Sequence, residues 1–197
     1  MSWRRALSLS IPSVMLALAA CQKESAKTPD PQEFSKDAVA VFCGMGLAEH
    51  PGPKAQIFVR SLPDARWFAS VHDAFAYTML LETPKDIAAI YVNDMGKAKN
   101  WEHPEPGTWI EARKAIYVIE SRQRGGMDQN EAVPFSSREA AEAFAKEQGG
   151  RLVRFEEMPK SYILASADAG PSASHDGLNR DSEGAHDRTE SDTPTPE

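Results

Sequence analysis

The order of predicted elements repeats once along the chain, and this repeat limits the available folds more than any other feature. In the first half, residues 55–60 (AQIFVR) and 65–70 (ARWFAS) predict two strands separated by a turn. Apolar residues then recur at helical spacing in residues 71–81, and Pro84 ends the run. Residues 86–94 (DIAAIYVND) predict the next strand.

The second half predicts the same order of elements. Strands at residues 114–121 and 132–136 precede a helix at residues 137–148 and a strand at residues 151–155. A serine begins each predicted helix, and an aromatic pair at a spacing of nine residues marks each half: Phe68 with Tyr77, and Phe135 with Phe144. We therefore predict an α+β fold of two ββαβ units packed together, with helices on antiparallel sheets.

The two halves differ in the loop between their first two strands. In the second half this loop is longer, SRQRGGMDQNEA, and carries Gly125, Gly126 and Met127. A loop rich in arginine and glycine has no obvious packing need for a methionine.

The N-terminus indicates export. Arg4 and Arg5 precede an apolar stretch, residues 6–20, that has the length of a signal peptide and is too short to span a bilayer comfortably. The stretch ends in Leu18-Ala19-Ala20-Cys21, which resembles the lipobox of bacterial lipoproteins and implies that Cys21 becomes the lipid-bearing first mature residue. The alternative is an ordinary secretory signal cleaved nearby.

Export makes the second cysteine unusual. With Cys21 lipidated, Cys43 is the only free thiol of a protein in an oxidising compartment, and a bound soft metal is one reason to keep such a thiol. If Cys21 is not lipidated, it can instead form a disulfide with Cys43, which would remove the metal site.

Charge and composition exclude some functions. The formal charge is −7, and −9 once Arg4 and Arg5 leave with the signal. Residues 165–197 hold eight acids and two arginines among small polar residues, which predicts a disordered tail. The folded part shows no basic patch, so we expect no nucleic-acid partner.

The distribution of sulfur suggests a soft-metal site. Cys43 and Met45 lie two residues apart, and Met45, Met95 and Met127 each adjoin a glycine, as expected where a loop presents a side chain. Thiolate and thioether ligands select copper(I) over zinc, calcium or magnesium. His50 is a further candidate ligand, and Met95 is the substitute should Met127 lie too far away. His72 is expected to support the start of its helix.

Several long segments resemble the NosL family, whose members are lipoproteins encoded with nitrous oxide reductase. They are FCGMGLAEHPGPKAQIF, VHDAFAYTML, PKDIAAIYVNDMG, PEPGTWIEARKAIYVI, RGGM and AVPFS. The resemblance implies a copper(I) chaperone, with one ion per chain, that serves the catalytic copper–sulfide centre of the reductase. Its implied ligands are Cys43 and Met45 of the C-x-M motif and Met127 of the RGGM loop.

The resemblance also implies partners and a location. The implied partners are nitrous oxide reductase, its membrane assembly machinery of ABC-transporter type, and the lipid membrane through Cys21. Gln22 after the lipidated cysteine does not resemble an inner-membrane retention signal, which favours the outer membrane, facing the periplasm. The predicted organisation is a signal peptide (1–20), a flexible lipidated tether (21–40), a copper-binding domain (41–164) and the acidic tail (165–197).

Two other functions compete with a copper chaperone. The first is a thiol enzyme with Cys43 as nucleophile, His50 or His72 as base and Glu49 or Asp73 as orienter. Met45 has no role in that mechanism, so we predict that the protein is not an enzyme. The second is a docking module that binds a partner through Trp101, Trp109 and neighbouring prolines, without metal transfer.

Overall fold

The computed structural model describes residues 27–168, except for the side chains of Met127 and residues 166–168. The predicted signal peptide, Cys21 and residues 169–197 of the predicted tail lie outside the described residues. The strands and α-helices of the described part are β1 (Ala55–Val59), β2 (Arg66–Phe68), α1 (Val71–Met79), β3 (Ile87–Asn93), β4 (Trp109–Glu111), β5 (Ile116–Ile119), β6 (Val133–Phe135), α2 (Arg138–Gln148), β7 (Arg151–Arg154) and α3 (Lys160–Asp168).

The strands form two antiparallel sheets, ordered β2-β1-β3-β4 and β6-β5-β7. The first-unit strand β1 lies between β2 and β3, and the second-unit strand β5 lies between β6 and β7 in the same way. The register is equivalent too, since Ala55 lies opposite Phe68 and Ile116 lies opposite Phe135. The predicted α+β fold of two ββαβ units is therefore confirmed.

The two units share a hydrophobic core. Both central strands are buried along their whole length, and the one polar side chain among them, Gln56 of β1, is paired with the backbone of Gln32. The main core joins residues of the first unit, such as Ile57 and Phe75, to residues of the second, such as Tyr117 and Val153. Since full burial of one such side chain contributes about 1.5–3 kcal/mol, the units stabilise each other.

The two predicted helix starts are also confirmed. The Ser70 hydroxyl accepts a hydrogen bond from the Asp73 amide at 3.0 Å, and the Ser137 hydroxyl accepts one from the Ala140 amide at 3.2 Å. Each bond satisfies one of the amides that a helix leaves unpaired in its first turn. Helix α2 ends at Gly149, whose φ of +75° suits a residue without a side chain.

The aromatic residues at a spacing of nine form equivalent contacts in the two units. The ring centroids of Phe68 and Tyr77 are 5.2 Å apart, and those of Phe135 and Phe144 are 5.3 Å apart. In each unit the pair joins the second strand to the helix that follows it. The spacing in the sequence thus reports how each helix packs on its sheet.

Two elements were not predicted from the sequence. Strand β4 is only three residues long and follows a proline-rich loop, and it pairs with the edge of β3. Helix α3 carries no strong amphipathic pattern, and it packs on α1, where the aromatic rings of Tyr162 and His72 lie 6.0 Å apart. It continues to Asp168, four residues past the predicted domain boundary at residue 164.

Residues 29–34, here called the N-terminal strap, contact the first sheet although their polar sequence predicted a tether. The Pro29 carbonyl accepts a 2.7 Å hydrogen bond from the Tyr91 hydroxyl. Gln32 and Gln56 exchange two hydrogen bonds of 2.8 and 2.9 Å, and Phe34 packs edge-on against Trp67. The packed region therefore starts before residue 41, because polar groups of the strap find partners on the sheet.

Asp94 joins the first sheet to the second unit. Its Oδ1 accepts hydrogen bonds from the amides of Gly96, at 3.0 Å, and Ser136, at 3.1 Å. The next amide, that of Met95, donates to the Pro134 carbonyl at 2.9 Å. These bonds cross between the end of β3 and β6, so they fix how the two sheets meet.

Glu131 brings a carboxyl group of the second unit to the start of α1. Its Oε1 accepts hydrogen bonds from the amides of His72, at 3.0 Å, and Ala132, at 2.9 Å. Its Oε2 is buried without a hydrogen-bond partner among the described residues. Burial raises the pKa of Glu131 to about 7, although the two amides and the nearby His72 favour the charged form.

We expect Glu131→Gln to change how stability depends on pH. Between about pH 4.5 and 7 the unfolded chain releases a proton that the folded chain keeps, so native stability falls as the pH rises through this window. The pKa difference corresponds to about 3 kcal/mol. Relative to the native chain, the variant should therefore gain about that much stability across the window, as measured by urea denaturation at several pH values.

Glu120→Gln is the matched control, because Glu120 is an exposed partner of Arg151. Its stability should follow the native pH dependence closely. If the curves of Glu131→Gln and native protein stay parallel from acid to neutral pH, Glu131 does not hold its proton in the folded state.

Candidate metal site

Cys43 and Met45 lie on a tight turn that precedes the first sheet. The Gly44 amide donates to the Ala40 carbonyl at 2.8 Å, and the Ala40 amide donates to the Met45 carbonyl at 2.9 Å. Gly44 has a φ of +67°, which residues with a side chain rarely adopt. Because a side chain there would meet no other atom, the backbone conformation and not crowding requires glycine. Leu47 is fully buried and anchors the end of the turn.

The thiol of Cys43 contacts an imidazole. Its Sγ lies 3.6 Å from His50 Nε2, and no disulfide involves Cys43 within residues 27–168. The Cys43 side chain is half-buried and His50 is buried. A half-buried thiol beside a buried nitrogen can bind a metal ion and still be reached from solvent.

Lys54 holds the loop that carries His50. The Lys54 side chain is only 2% exposed, and its Nζ donates to the His50 carbonyl at 2.7 Å and the Gly52 carbonyl at 2.5 Å. Its own amide donates to Asn93 Oδ1 at 2.8 Å. Burial lowers the pKa of Lys54 to about 8, while the negative charge of Glu131 opposes this shift.

The glycine-rich loop of the second unit lies directly against His50. A methyl group on Gly126 would lie 3.2 Å from His50 Cβ and 3.3 Å from its Nδ1, and one on Gly52 would lie 3.7 Å from the Gly125 Cα. A side chain on Gly126 would therefore press against His50, whereas the Gly52–Gly125 approach is an ordinary van der Waals contact. The backbone of Met127 follows at once in a short 3-10 turn (Gly126–Asp128), but its side chain lies outside the described part, so its sulfur stays a predicted ligand.

Three apolar side chains near the thiol in the chain are exposed. Met45 is 41% exposed, and Val39 and Phe42 expose about half of their side chains beside it in the chain. Phe42 also packs against Phe68 and Tyr77, which fixes its position. A metal ion at Cys43 would therefore lie near exposed apolar side chains and be accessible from solvent.

The remaining candidates lie elsewhere in the structure. Met95 packs with Trp101 and Phe144 against the core under α2, so filling this space already accounts for it. His72 is buried, with its Nε2 3.4 Å from the Tyr162 carbonyl and its Nδ1 3.9 Å from the Asp73 carboxylate. Burial disfavours its charged form, yet Asp73 and Glu131 outweigh that effect and raise its pKa. It supports the start of α1, as expected.

A metal ion at this site would depend on sulfur ligands. Among the described residues, no group of three or more His, Cys, Asp and Glu side chains is placed to hold a metal ion. A zinc site would need such a group, whereas copper(I) accepts two or three soft ligands. The donors present at Cys43, Met45 and His50 thus suit copper(I) better than zinc.

The geometry gives the thiol enzyme only part of what it needs. Cys43 and His50 are in contact, as a nucleophile and its base would be. However, no carboxylate within residues 27–168 pairs with His50: Glu49 is exposed, and Asp73 is engaged by His72 and Gln129. The orienting group of such a mechanism is thus not found in the described part.

Sequence reasoning missed Lys54 and Glu131. Lys54 directly precedes the buried strand β1, and Glu131 is separated from the buried strand β6 by one residue. A charged residue so close to a buried strand was the available signal.

No helix in the described part is long and apolar enough to cross a membrane.

Comparison with known proteins gives consistent results. The NosL family model matches residues 31–163. The copper-binding lipoprotein NosL of Achromobacter cycloclastes is 41% identical over 161 residues, which are 81% of this chain and 83% of the relative. The protein of the same name from Stutzerimonas stutzeri is 30% identical over 178 residues, 88% of this chain and 92% of the relative.

The fold agrees with a solved structure. The crystal structure of the copper chaperone NosL from Shewanella denitrificans matches with a TM-score of 0.63 and 31% identity, over 67% of this chain and 97% of that one. The family match spans both units and most of the N-terminal strap. It includes the turn of Cys43 and the loop of Met127. On these matches, together with the fold, the chain belongs to the NosL family.

Proposed function

We propose that this chain is an exported copper(I) chaperone, anchored to a membrane by lipid on Cys21. It carries one copper(I) ion on Cys43, Met45 and Met127, with His50 beside them as a further donor. It delivers the ion for assembly of the catalytic copper–sulfide centre of nitrous oxide reductase. The observation that carries this proposal is the half-buried Cys43 thiol 3.6 Å from His50 Nε2, on a turn that also exposes Met45.

The names of the relatives support the copper and lipid parts of the proposal. Two of them are named copper-binding lipoproteins and one is named a copper chaperone. The reductase, its ABC-transporter-type assembly machinery and the periplasmic face of the outer membrane are proposed from the family resemblance and from Gln22 after the lipobox.

Ligand exchange is the proposed transfer step. The thiolate binds copper, so loading releases the thiol proton, and binding weakens at acid pH. The exposed Met45 and half-buried Cys43 leave the ion open to an approaching acceptor ligand. A site with few ligands can then hand over its ion through an intermediate in which both proteins bind it.

Substitutions of the sulfur residues test the site. We expect Cys43→Ser to lower copper(I) affinity by more than about 100-fold, because an alcohol is a poor ligand for a soft metal and loss of supporting groups alone costs about 10–100-fold. Met45→Ala and Met127→Ala should each weaken binding by about tenfold or more. The measurement is anaerobic copper(I) titration against a competing chelator.

Met79→Ala is the matched control for these variants. Met79 is half-buried on α1 and packs against the main core. Its loss should lower the free energy of unfolding by about 2 kcal/mol and leave copper affinity unchanged. Native-like affinity in Cys43→Ser would contradict the site, and a native protein that fails to bind copper(I) would favour the docking module instead.

Metal preference provides a separate test. We expect copper(I), and silver(I) as its mimic, to bind far more tightly than zinc(II), because thioether ligands favour soft ions. Competitive titration under reducing conditions measures this order directly. Displacement of copper(I) by zinc(II) would contradict it.

The lipid anchor is tested at Cys21. We expect mass spectrometry of the N-terminal peptide to find lipid on Cys21, and Cys21→Ser to release soluble protein into the periplasm. Cys43→Ser is the control, since it removes the other cysteine and should leave the protein on the membrane. A Cys21→Ser protein that stays membrane-bound would contradict the anchor.

A further inference from the structure

We propose that Phe34 of the N-terminal strap is a positioning residue for the copper site, because it supports the Cys43 turn, here defined as residues 38–47. The proposal rests on the copper(I) site at Cys43 that forms part of the proposed function. Phe34 offers no metal donor and lies outside the turn. Its role would be to keep the thiol where the other ligands can share an ion with it.

The Cys43 turn packs in a small apolar cluster whose buried members are Ala40, Leu47 and Ala69. Phe34 and Cys43 are both half-buried, and both pack against this cluster. It is separate from the main core, and two of its three buried members are alanines, so it has little apolar volume of its own. The ring of Phe34 therefore supplies a substantial part of the packing on which the thiol depends.

Hydrogen bonds fix the backbone of the Cys43 turn but leave its thiol to side-chain contacts. The Leu47 amide donates to the Ala38 carbonyl at 2.8 Å and closes the base of the turn. The Val41 amide donates to the Trp67 carbonyl at 2.9 Å and attaches the turn to β2. Neither bond involves the Cys43 side chain, whose position therefore depends on the cluster as well.

The Phe42 ring does not take the place of Phe34. Although Phe42 is next to the thiol in the chain, its ring packs against Phe68 and Tyr77. These two rings belong to β2 and α1 and are not members of the small cluster. Phe42 and Phe34 thus attach the turn to different parts of the first unit.

The strap holds the Phe34 ring in a defined position. The ring packs edge-on against Trp67, with centroids 6.0 Å apart. The carboxylate of the preceding residue, Glu33, accepts hydrogen bonds from the Gly107 amide at 2.8 Å and from Trp109 Nε1 at 3.2 Å. Phe34 is therefore fixed by its own packing and by the attachment of its neighbour to the sheet.

Loss of the Phe34 ring would loosen the turn without removing a ligand. A space beside the cluster deprives the side chains that line it of contacts, so they gain freedom to move. The thiol of Cys43 would then spend less time where Met45 and His50 can bind the same ion. Residues that hold metal ligands in position typically contribute about 10–100-fold to metal affinity.

Phe34→Ala tests the proposal by two measurements on the full-length lipidated chain. We expect its copper(I) affinity, measured by anaerobic titration against a competing chelator, to fall by about tenfold. In the copper-free chain, we expect Cys43 to react faster with iodoacetamide than in the native chain, because a looser turn exposes the thiol. Mass spectrometry of the peptide that contains Cys43 follows this reaction separately from any reaction at Cys21.

Phe155→Ala is the matched control. Phe155 is also a half-buried aromatic residue, but it packs against Phe75 and Tyr117 in the main core. Its loss should lower the free energy of unfolding and leave the copper affinity and the alkylation rate at their native values. Phe34→Tyr keeps the ring and should behave like the native chain. Phe34→Leu should change both measurements in the same direction as Phe34→Ala, and it serves if the alanine variant fails to fold.

The outcomes separate the positioning role from the copper site itself. A native chain that binds no copper(I) would overturn the proposed function, whereas faster alkylation in Phe34→Ala than in Phe155→Ala would still support the positioning of the turn. Native-like copper affinity in a folded Phe34→Ala chain would overturn the positioning role alone. Equal effects in Phe34→Ala and Phe155→Ala would also overturn it, because lower stability would then account for both.

Discussion

The buried ammonium of Lys54 holds the loop on which the candidate metal site depends. It bonds to the carbonyls of both His50 and Gly52, and burial lowers the pKa of Lys54 to about 8 although the negative charge of Glu131 opposes this shift. At the equivalent register position, directly before the central strand, the second unit has the apolar Ala115. A charged residue at this position therefore occurs only in the unit that carries the thiol.

Two related units explain how distant parts of the sequence reach one site. The loop of His50 precedes the central strand β1 of the first unit, and the glycine-rich loop follows the central strand β5 of the second. Packing the units together brings these two loops side by side. Gly126 makes the contact close, since a methyl group there would lie 3.2 Å from His50 Cβ and 3.3 Å from its Nδ1. The His50 ring is thereby held between the thiol of its own unit and the glycine-rich loop of the other. Two contacts use the longer loop of the second unit. Its glycines lie against His50, and its Glu131 carboxyl group accepts a hydrogen bond at the start of α1.

Local patterns in the sequence predicted the fold well, and long-range polar contacts were beyond them. Serine caps and the aromatic spacing of nine follow from interactions within one unit, so the sequence records them directly. The role of Glu131 depends on the His72 amide of the other unit, and the burial of the Lys54 ammonium depends on how the chain packs around it, neither of which a periodicity reveals. The strap is a similar case: its glutamine and proline carbonyls are polar in sequence but paired in the fold. The thiol and thioether of the Cys43 turn were identifiable because their chemistry, unlike their packing, is a property of residue type.

A copper chaperone must hold its ion firmly enough to keep it and openly enough to release it, and the proposed site would divide these two tasks between its parts. Rigidity comes from the buried side: Leu47 anchors the turn, and the Lys54 ammonium fixes the backbone at His50. Access comes from the exposed side, where Met45 offers a neutral, flexible thioether at the surface. A neutral ligand can leave copper(I) without separating opposite charges, so the thioether is the ligand best suited to give way first to an incoming one. In the proposed transfer the thiolate would then keep the ion until the acceptor supplies an equally strong ligand, and release would depend on the arrival of that acceptor.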